Sequence, residues 1–116
     1  MHIKITLTDE NVSIDPPNFV ANHGTSTLKW KAKDESQRFD FEDPPITFDD
    51  PHAPMGPPSV EDGAASCTDV NSNTGRADIP YSYHVHLITR NGKHITYPPK
   101  HDPAKDGHPT ISNKPK

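Results

Sequence analysis

Cysteine is nearly absent from this chain. Cys67 is its one thiol, so no internal disulfide can form and stability must come from packing and hydrogen bonding. Large apolar residues are scarce as well. Leu, Ile, Val and Phe make up 20 of 116 residues, about 17%, below the roughly 20% at which a chain tends towards disorder. No apolar run reaches the roughly 18 residues of a membrane helix, so no membrane partner is expected. No segment repeats apolar residues at i, i+3, i+4 and i+7 over two turns, which argues against a substantial helix. Lys and Arg total 12 against 16 Asp and Glu, giving a net charge of -4. The basic residues are dispersed, with no interleaved aromatic platform, so nucleic acid is not the expected partner. There is no Gly-x-Ser-x-Gly elbow around Ser59, Ser66 or any other serine, and no glycine-rich phosphate loop. Met1 leads straight into a strand-like run, with no basic region followed by an apolar one. A soluble, cytoplasmic protein without signal peptide is therefore expected; a mature secreted chain numbered from a new Met fits the same residues.

What is present is period two. In His2–Thr8, Ile3, Ile5 and Leu7 point one way and Lys4, Thr6 and Thr8 the other. Val12 and Ile14 form a short second strand that stops at Asp15-Pro16-Pro17. Thr25–Ala32 sets Leu28, Trp30 and Ala32 against Lys29 and Lys31, and Arg38–Glu42 turns Phe39 and Phe41 inward. Ile46–Phe48 continues after Pro44-Pro45. In Ala64–Val70, Ala65 and Cys67 face inward, with Val70 as a further candidate, and a last short run surrounds Ile111 at Pro109–Ser112. Trp30, Phe39, Phe41, Tyr81 and Tyr83 are expected in the core. The modest net charge and this ordering predict a folded all-β protein with a thin core. The expected architecture is an antiparallel Greek-key β-sandwich of seven or eight short strands over residues 1–112, followed by a flexible tail at 113–116.

The segment Ile79–Tyr97 allows a register argument. A two-residue Asn91-Gly92 turn would place Ile95 and Tyr97 on the face opposite Tyr81, Tyr83, Val85 and Leu87. A three-residue loop, Arg90-Asn91-Gly92 with Gly92 left-handed as a bulge, pairs Thr89 with Lys93, Leu87 with Ile95 and Val85 with Tyr97. All the large apolar residues then share one face. A one-residue slip flips every side chain, so the buried face selects the bulged loop.

The same register places His84, His86 and His94 together on the other face. Three imidazoles on a rigid sheet are the right ligand type for Zn²⁺, Cu²⁺ or Ni²⁺. The plainer and favoured reading makes them polar residues on the solvent side of a half-buried hairpin. A second polar group, His101, Asp102, Asp106 and His108 with Asp49, Asp50 and His52, is read first as turn chemistry. Cys67 sits next to an acidic residue in Ala-Ser-Cys-Thr-Asp, which opposes thiolate formation, and is read as buried and inert.

The layout resembles the cupredoxin-like β-sandwich family over roughly residues 1–112. The resemblance lies in the first strand Ile3–Leu7, the Asp15-Pro16-Pro17 turn, the Leu28-Lys29-Trp30 strand, Phe39-Asp40-Phe41, and the late Tyr81, Tyr83, Val85, Leu87 strand. It implies a sandwich fold and, for most of the family, a type 1 copper centre built from two His, one Cys and a weak axial ligand, often Met. Here Cys67 is followed by Thr68, Asp69, Val70, Asn71 and Ser72, Met55 precedes it, and Ile88-Thr89-Arg90 ends the late strand without a Cys. The fold is carried over and the copper ligands are not, so no cofactor is expected. The expected function is a non-enzymatic binding or accessory module that contacts a protein partner through end loops. The proline-stiffened loop Asp49–Gly63 is the foremost contact element. The competing expectation is weak divalent transition-metal binding by His84, His86 and His94.

Overall fold

The computed structural model describes residues 2–9, 11–34, 39–99 and 109–116. Among these residues the chain is all-β, with ten strands and no helix. The strands are β1 (Ile3–Thr8), β2 (Asn11–Asp15), β3 (Asn18–Ala21), β4 (Gly24–Ala32), β5 (Phe39–Phe48), β6 (Ser59–Glu61), β7 (Ala64–Asn71), β8 (Ile79–Thr89), β9 (His94–Tyr97) and β10 (Thr110–Asn113). One sheet has the order β2-β1-β4-β7-β6. The other has the order β3-β10-β8-β5, with β9 following β10 along the same edge of β8.

The alternation read from the sequence builds the core. Ile3, Ile5, Val12, Ile14, Leu28, Trp30, Ala65 and Cys67 from the first sheet meet Phe41, Tyr83, Val85, Leu87 and Ile111 from the second. Trp30 and Tyr83 pack edge to face, with ring centroids 5.4 Å apart and planes at 70°. Tyr81 and Phe39 are only half-buried, at the margin of this core.

The hairpin register is the bulged one. Leu87 pairs with Ile95 and Val85 with Tyr97. Thr89 N–H donates to the Lys93 carbonyl at 2.8 Å, Gly92 N–H donates to the Thr89 carbonyl at 2.9 Å, and Gly92 sits at φ +85°. A Cβ would disfavour that backbone, so glycine fits it.

Several expectations are corrected. The sheets are mixed rather than antiparallel, because β1 runs parallel to β4 and β3 parallel to β10. The strands number ten among the described residues, not seven or eight. The additional ones are short edge strands: β3 follows the Pro16-Pro17 step that carries the chain from one sheet to the other, and β6 lies inside the loop expected at Asp49–Gly63. The runs expected at Arg38–Glu42 and Ile46–Phe48 are one strand, β5, with Arg38 outside the described residues. β5 is interrupted where Glu42–Pro45 lie opposite His86 alone. Pro44 and Pro45 have no N–H to give the ladder, which accounts for the break. Val70 is 53% exposed, whereas Asp69 and Asn71 continue the inward set of Ala65 and Cys67. The period is kept although the residues become polar. Residues 113–116 are joined to the body: Asn113 ends β10 and is buried, Lys114 N–H donates to the Ala21 carbonyl, and Lys116 N–H donates to the Asn73 carbonyl.

Candidate functional site

The expected histidine face forms, but its first two members are covered. Along β8 the inward side chains Tyr83, Val85 and Leu87 alternate with His84 and His86, which are only 7% and 6% exposed. Their neighbours explain this. Register sets Thr47 of β5 beside His84 and Thr96 of β9 beside His86. His84 Nδ1 lies 2.5 Å from the Pro98 carbonyl, and its Nε2 lies 2.8 Å from Asp49 Oδ1. His86 Nε2 lies 2.8 Å from Thr47 Oγ1, and its Nδ1 lies 3.1 Å from Thr96 Oγ1. Each ring therefore joins the strand on one side of β8 to the chain on the other.

The Pro98 carbonyl can only accept, so His84 Nδ1 donates. The contact between Nε2 and Asp49 is the second hydrogen bond of that ring. Both nitrogens of both rings are engaged, and a metal ion would have to displace one of these bonds, since it needs a free lone pair. His94 lies on the same face, is exposed, and is hydrogen-bonded through Nδ1 to the Glu42 carboxylate. Among the described residues, no group of three or more His, Cys, Asp or Glu side chains converges to hold a metal ion. His101, Asp102, Asp106 and His108 lie outside the described residues. Cys67 faces the core, and burial, aided by Asp69, pushes its thiol up to about 12. It is a thiol, not a thiolate nucleophile, near neutral pH.

No protein-family model matches the chain, and no curated protein is significantly similar to it.

The other candidate site is the end of the sandwich where the core turns polar. Asn71 Nδ2 donates to the Ala21 and Lys114 carbonyls, and its Oδ1 accepts from Asn73 N–H. Asn73 Nδ2 donates to the Ala77 and Asn113 carbonyls, and its Oδ1 accepts from Gly75 N–H. Asn113 Nδ2 donates to Asp69 Oδ1 at 3.0 Å. These three amides fasten the 72–78 connection and the C-terminal residues to the strand ends. Above them lies a cleft of about 460 Å³ lined by His52, Pro54, Asn73, Gly75, Ile79 and Tyr81, among others. Burial raises the Tyr81 phenol, and the Asp50 and Asp69 carboxylates add to the shift.

The expected contact loop supplies one wall of this cleft through His52 and Pro54. From Pro54 onward it is bonded to β7, with Gly56 N–H donating to the Thr68 carbonyl at 2.8 Å and Val70 N–H to the Pro54 carbonyl at 3.0 Å. The β6–β7 ladder completes the attachment. Asn71, Asn73 and Asn113 were not singled out from the sequence. Asn71-Ser72-Asn73 reads as turn chemistry, and it is that locally, but the burial of these amides depends on partners about forty residues away.

Proposed function

We propose that this protein is a non-enzymatic binding module that captures a protein partner at the amide-braced end of its sandwich. The observation that carries this reading is preorganisation. The Asp49–Gly63 loop is hydrogen-bonded to β7 and the 72–78 connection is held by Asn71 and Asn73, so the cleft between them is formed before any partner arrives. A surface already fixed loses little conformational entropy on binding. Ile79, 41% exposed beside the half-buried ring of Tyr81, supplies an apolar anchor among polar donors, the composition of a binding hot spot. A non-enzymatic role is supported by the position of the strongly perturbed groups: Cys67 and Tyr83 are buried in the core, out of reach of a substrate.

The Greek-key, cupredoxin-like arrangement belongs to the same proposal. A chain that changes sheets at Pro16-Pro17 supports it, while the parallel β1–β4 and β3–β10 pairs depart from a purely antiparallel Greek key. A cytoplasmic location is part of the same proposal, and the buried thiol of Cys67 is compatible with it.

The test is capture of a partner from an extract of the source cells by immobilised protein, wild type against Ile79→Asp combined with His52→Ala. Both residues are exposed, so the variant keeps its thermal midpoint. The expected result is loss of a specific captured protein. Equal capture by both proteins removes the end cleft as the contact surface.

A further inference from the structure

The outer face of the first sheet carries a second, independent feature. In the parallel β1–β4 pair, Ile3 lies beside Trp30 and Lys4 beside Lys31. One residue earlier, the same register carries His2 and Lys29 onto the outer face with them. Four basic side chains from two neighbouring strands thus form a square, about 5 Å across the strands and about 7 Å along them. His2, Lys4 and Lys31 are half-buried and Lys29 is exposed.

Like charges directly opposite one another in a sheet are destabilising, and the core does not require them here. Thr6 and Thr27 occupy equivalent outward positions on the same two strands. Among the described residues none of the three lysines forms an ion pair. Desolvation and the neighbouring Lys31 hold the Lys4 ammonium below its ordinary range. Desolvation, then Lys31, Lys4 and Lys29, do the same to His2. Beside the square is a concavity of about 500 Å³, bordered by His2, Lys29, Lys31, Ala64, Ser66 and the Glu61–Asp62 turn. The short side chain of Ala64 leaves room next to Lys31, and Ser66, paired with Lys29 across the β4–β7 ladder, brings a hydroxyl to the same place.

We infer that this concavity binds a tetrahedral oxyanion, a phosphate or sulfate group, held by Lys29, Lys31 and His2 with Ser66 as a neutral donor and Lys4 adding charge across the strand pair. Two ammonium groups provide point charges and the His2 imidazole a neutral N–H donor from one side, which suits an anion with several equivalent oxygens. Glu61 and Asp62 stand at the rim, and Asp15 is paired with Lys4 from β2. These carboxylates repel the anion and set the sign of a control: neutralising the rim tightens binding. Ligands of the same chemistry come from two sources, the free ion or an ester on a sugar.

The test is a titration of the protein with inorganic phosphate, inorganic sulfate and a monosaccharide phosphate at constant ionic strength in chloride. It is followed by NMR at the lysine Cε–Hε groups and the His2 ring. The expected result is saturable shifts at His2, Lys29 and Lys31, weakened roughly tenfold by Lys31→Thr, strengthened by Glu61→Gln with Asp62→Asn, and unchanged by Lys33→Thr. Tighter binding of the sugar ester identifies an ester-borne group, and tighter binding of the inorganic ions identifies the free anion. In chloride alone, Lys31→Thr raises the thermal midpoint by relieving the repulsion, so loss of binding is separated from loss of fold. Non-saturable shifts equal to those produced by chloride, or saturable binding unchanged by Lys31→Thr, overturn the assignment.

Discussion

At the scale of single residues the most consequential position is Asp69. It is fully buried, and its Oδ1 accepts from Asn113 Nδ2 while its Oδ2 has no partner. The other atom of that pair without a partner is Asn113 Oδ1, also an acceptor. Protonating Asp69 turns Oδ2 into a donor and removes the buried charge. Burial raises the Asp69 carboxyl, and the bond from Asn113 only partly offsets this. Between the ordinary carboxyl pKa and the raised one, the folded state therefore binds more protons than the unfolded state, and stability falls as pH rises through that window. Asp69→Asn removes the charge and adds a donor. The variant is expected to gain about 1–2 kcal/mol at neutral pH, with the gain shrinking in acid. Urea denaturation of both proteins across pH checks this, and a constant difference at all pH values contradicts it. Cys67 leads to a simpler expectation: with its thiol at about 12 and buried, alkylation in native buffer is far slower than in denaturant. Its inertness was legible in the sequence from the alternation that turns Cys67 inward and, second, from the acid two residues on. Asp69 was not, because a charged residue in an alternating strand reads as outward until the pairing partner fixes the phase.

Among the elements, the β8–β9 hairpin was legible down to its register, because a large apolar set permits one pairing and Gly92 permits one loop. Gly92 has a positive φ of +85°, and a Cβ there would meet no atom within 4 Å. The cost of Gly92→Ala is then backbone strain, about 1 kcal/mol, and Gly92→Asn costs less because asparagine tolerates the left-handed region. Equal stability of the three proteins in chemical denaturation would remove the strained turn. The histidines of the same element show where the sequence stopped informing. Their common face followed from alternation. Their burial did not, because it depends on Thr47 of β5 and Asp49 just after it, and on Thr96 and Pro98 beyond the turn. With both ring nitrogens of His84 and His86 engaged, titration with Zn²⁺, Cu²⁺ or Ni²⁺ is expected to leave their ring resonances in place while exposed His94 responds. Saturable shifts of His84 and His86 at micromolar metal would restore them as ligands.

For the whole molecule, the pattern of apolar residues gave the all-β class and most of the inward faces, while the order of strands lay beyond it. Which edges meet is decided between segments far apart, as when β3 runs beside β10, and no local signal in Asn18–Ala21 or Thr110–Asn113 encodes the partner. The C-terminal strand is joined to residues 18–21 there, and Asn71 and Asn73 extend the join to the middle of the chain. This gives the last residues a task unlike that of a free tail. Lys114 N–H bonds the Ala21 carbonyl, Lys116 N–H bonds the Asn73 carbonyl, and Asn71 Nδ2 donates to the Lys114 carbonyl. At a net value of roughly 0.5–1.5 kcal/mol for each bond, deletion of residues 114–116 is expected to cost about 2–4 kcal/mol. Loss of the Lys114 carbonyl also leaves a buried amide donor of Asn71 without its acceptor, so the effect spreads along the end cleft. Amide hydrogen exchange is the discriminating measurement. The truncated protein is expected to lose protection at Asn73 and Gly75, whose N–H groups bond the Asn71 and Asn73 side chains, while Val85 and Leu87 in the core keep theirs. Unchanged exchange and an unchanged midpoint would mean that the tail does not brace this end, and the preformed cleft would then have to rest on the Asp49–Gly63 loop alone.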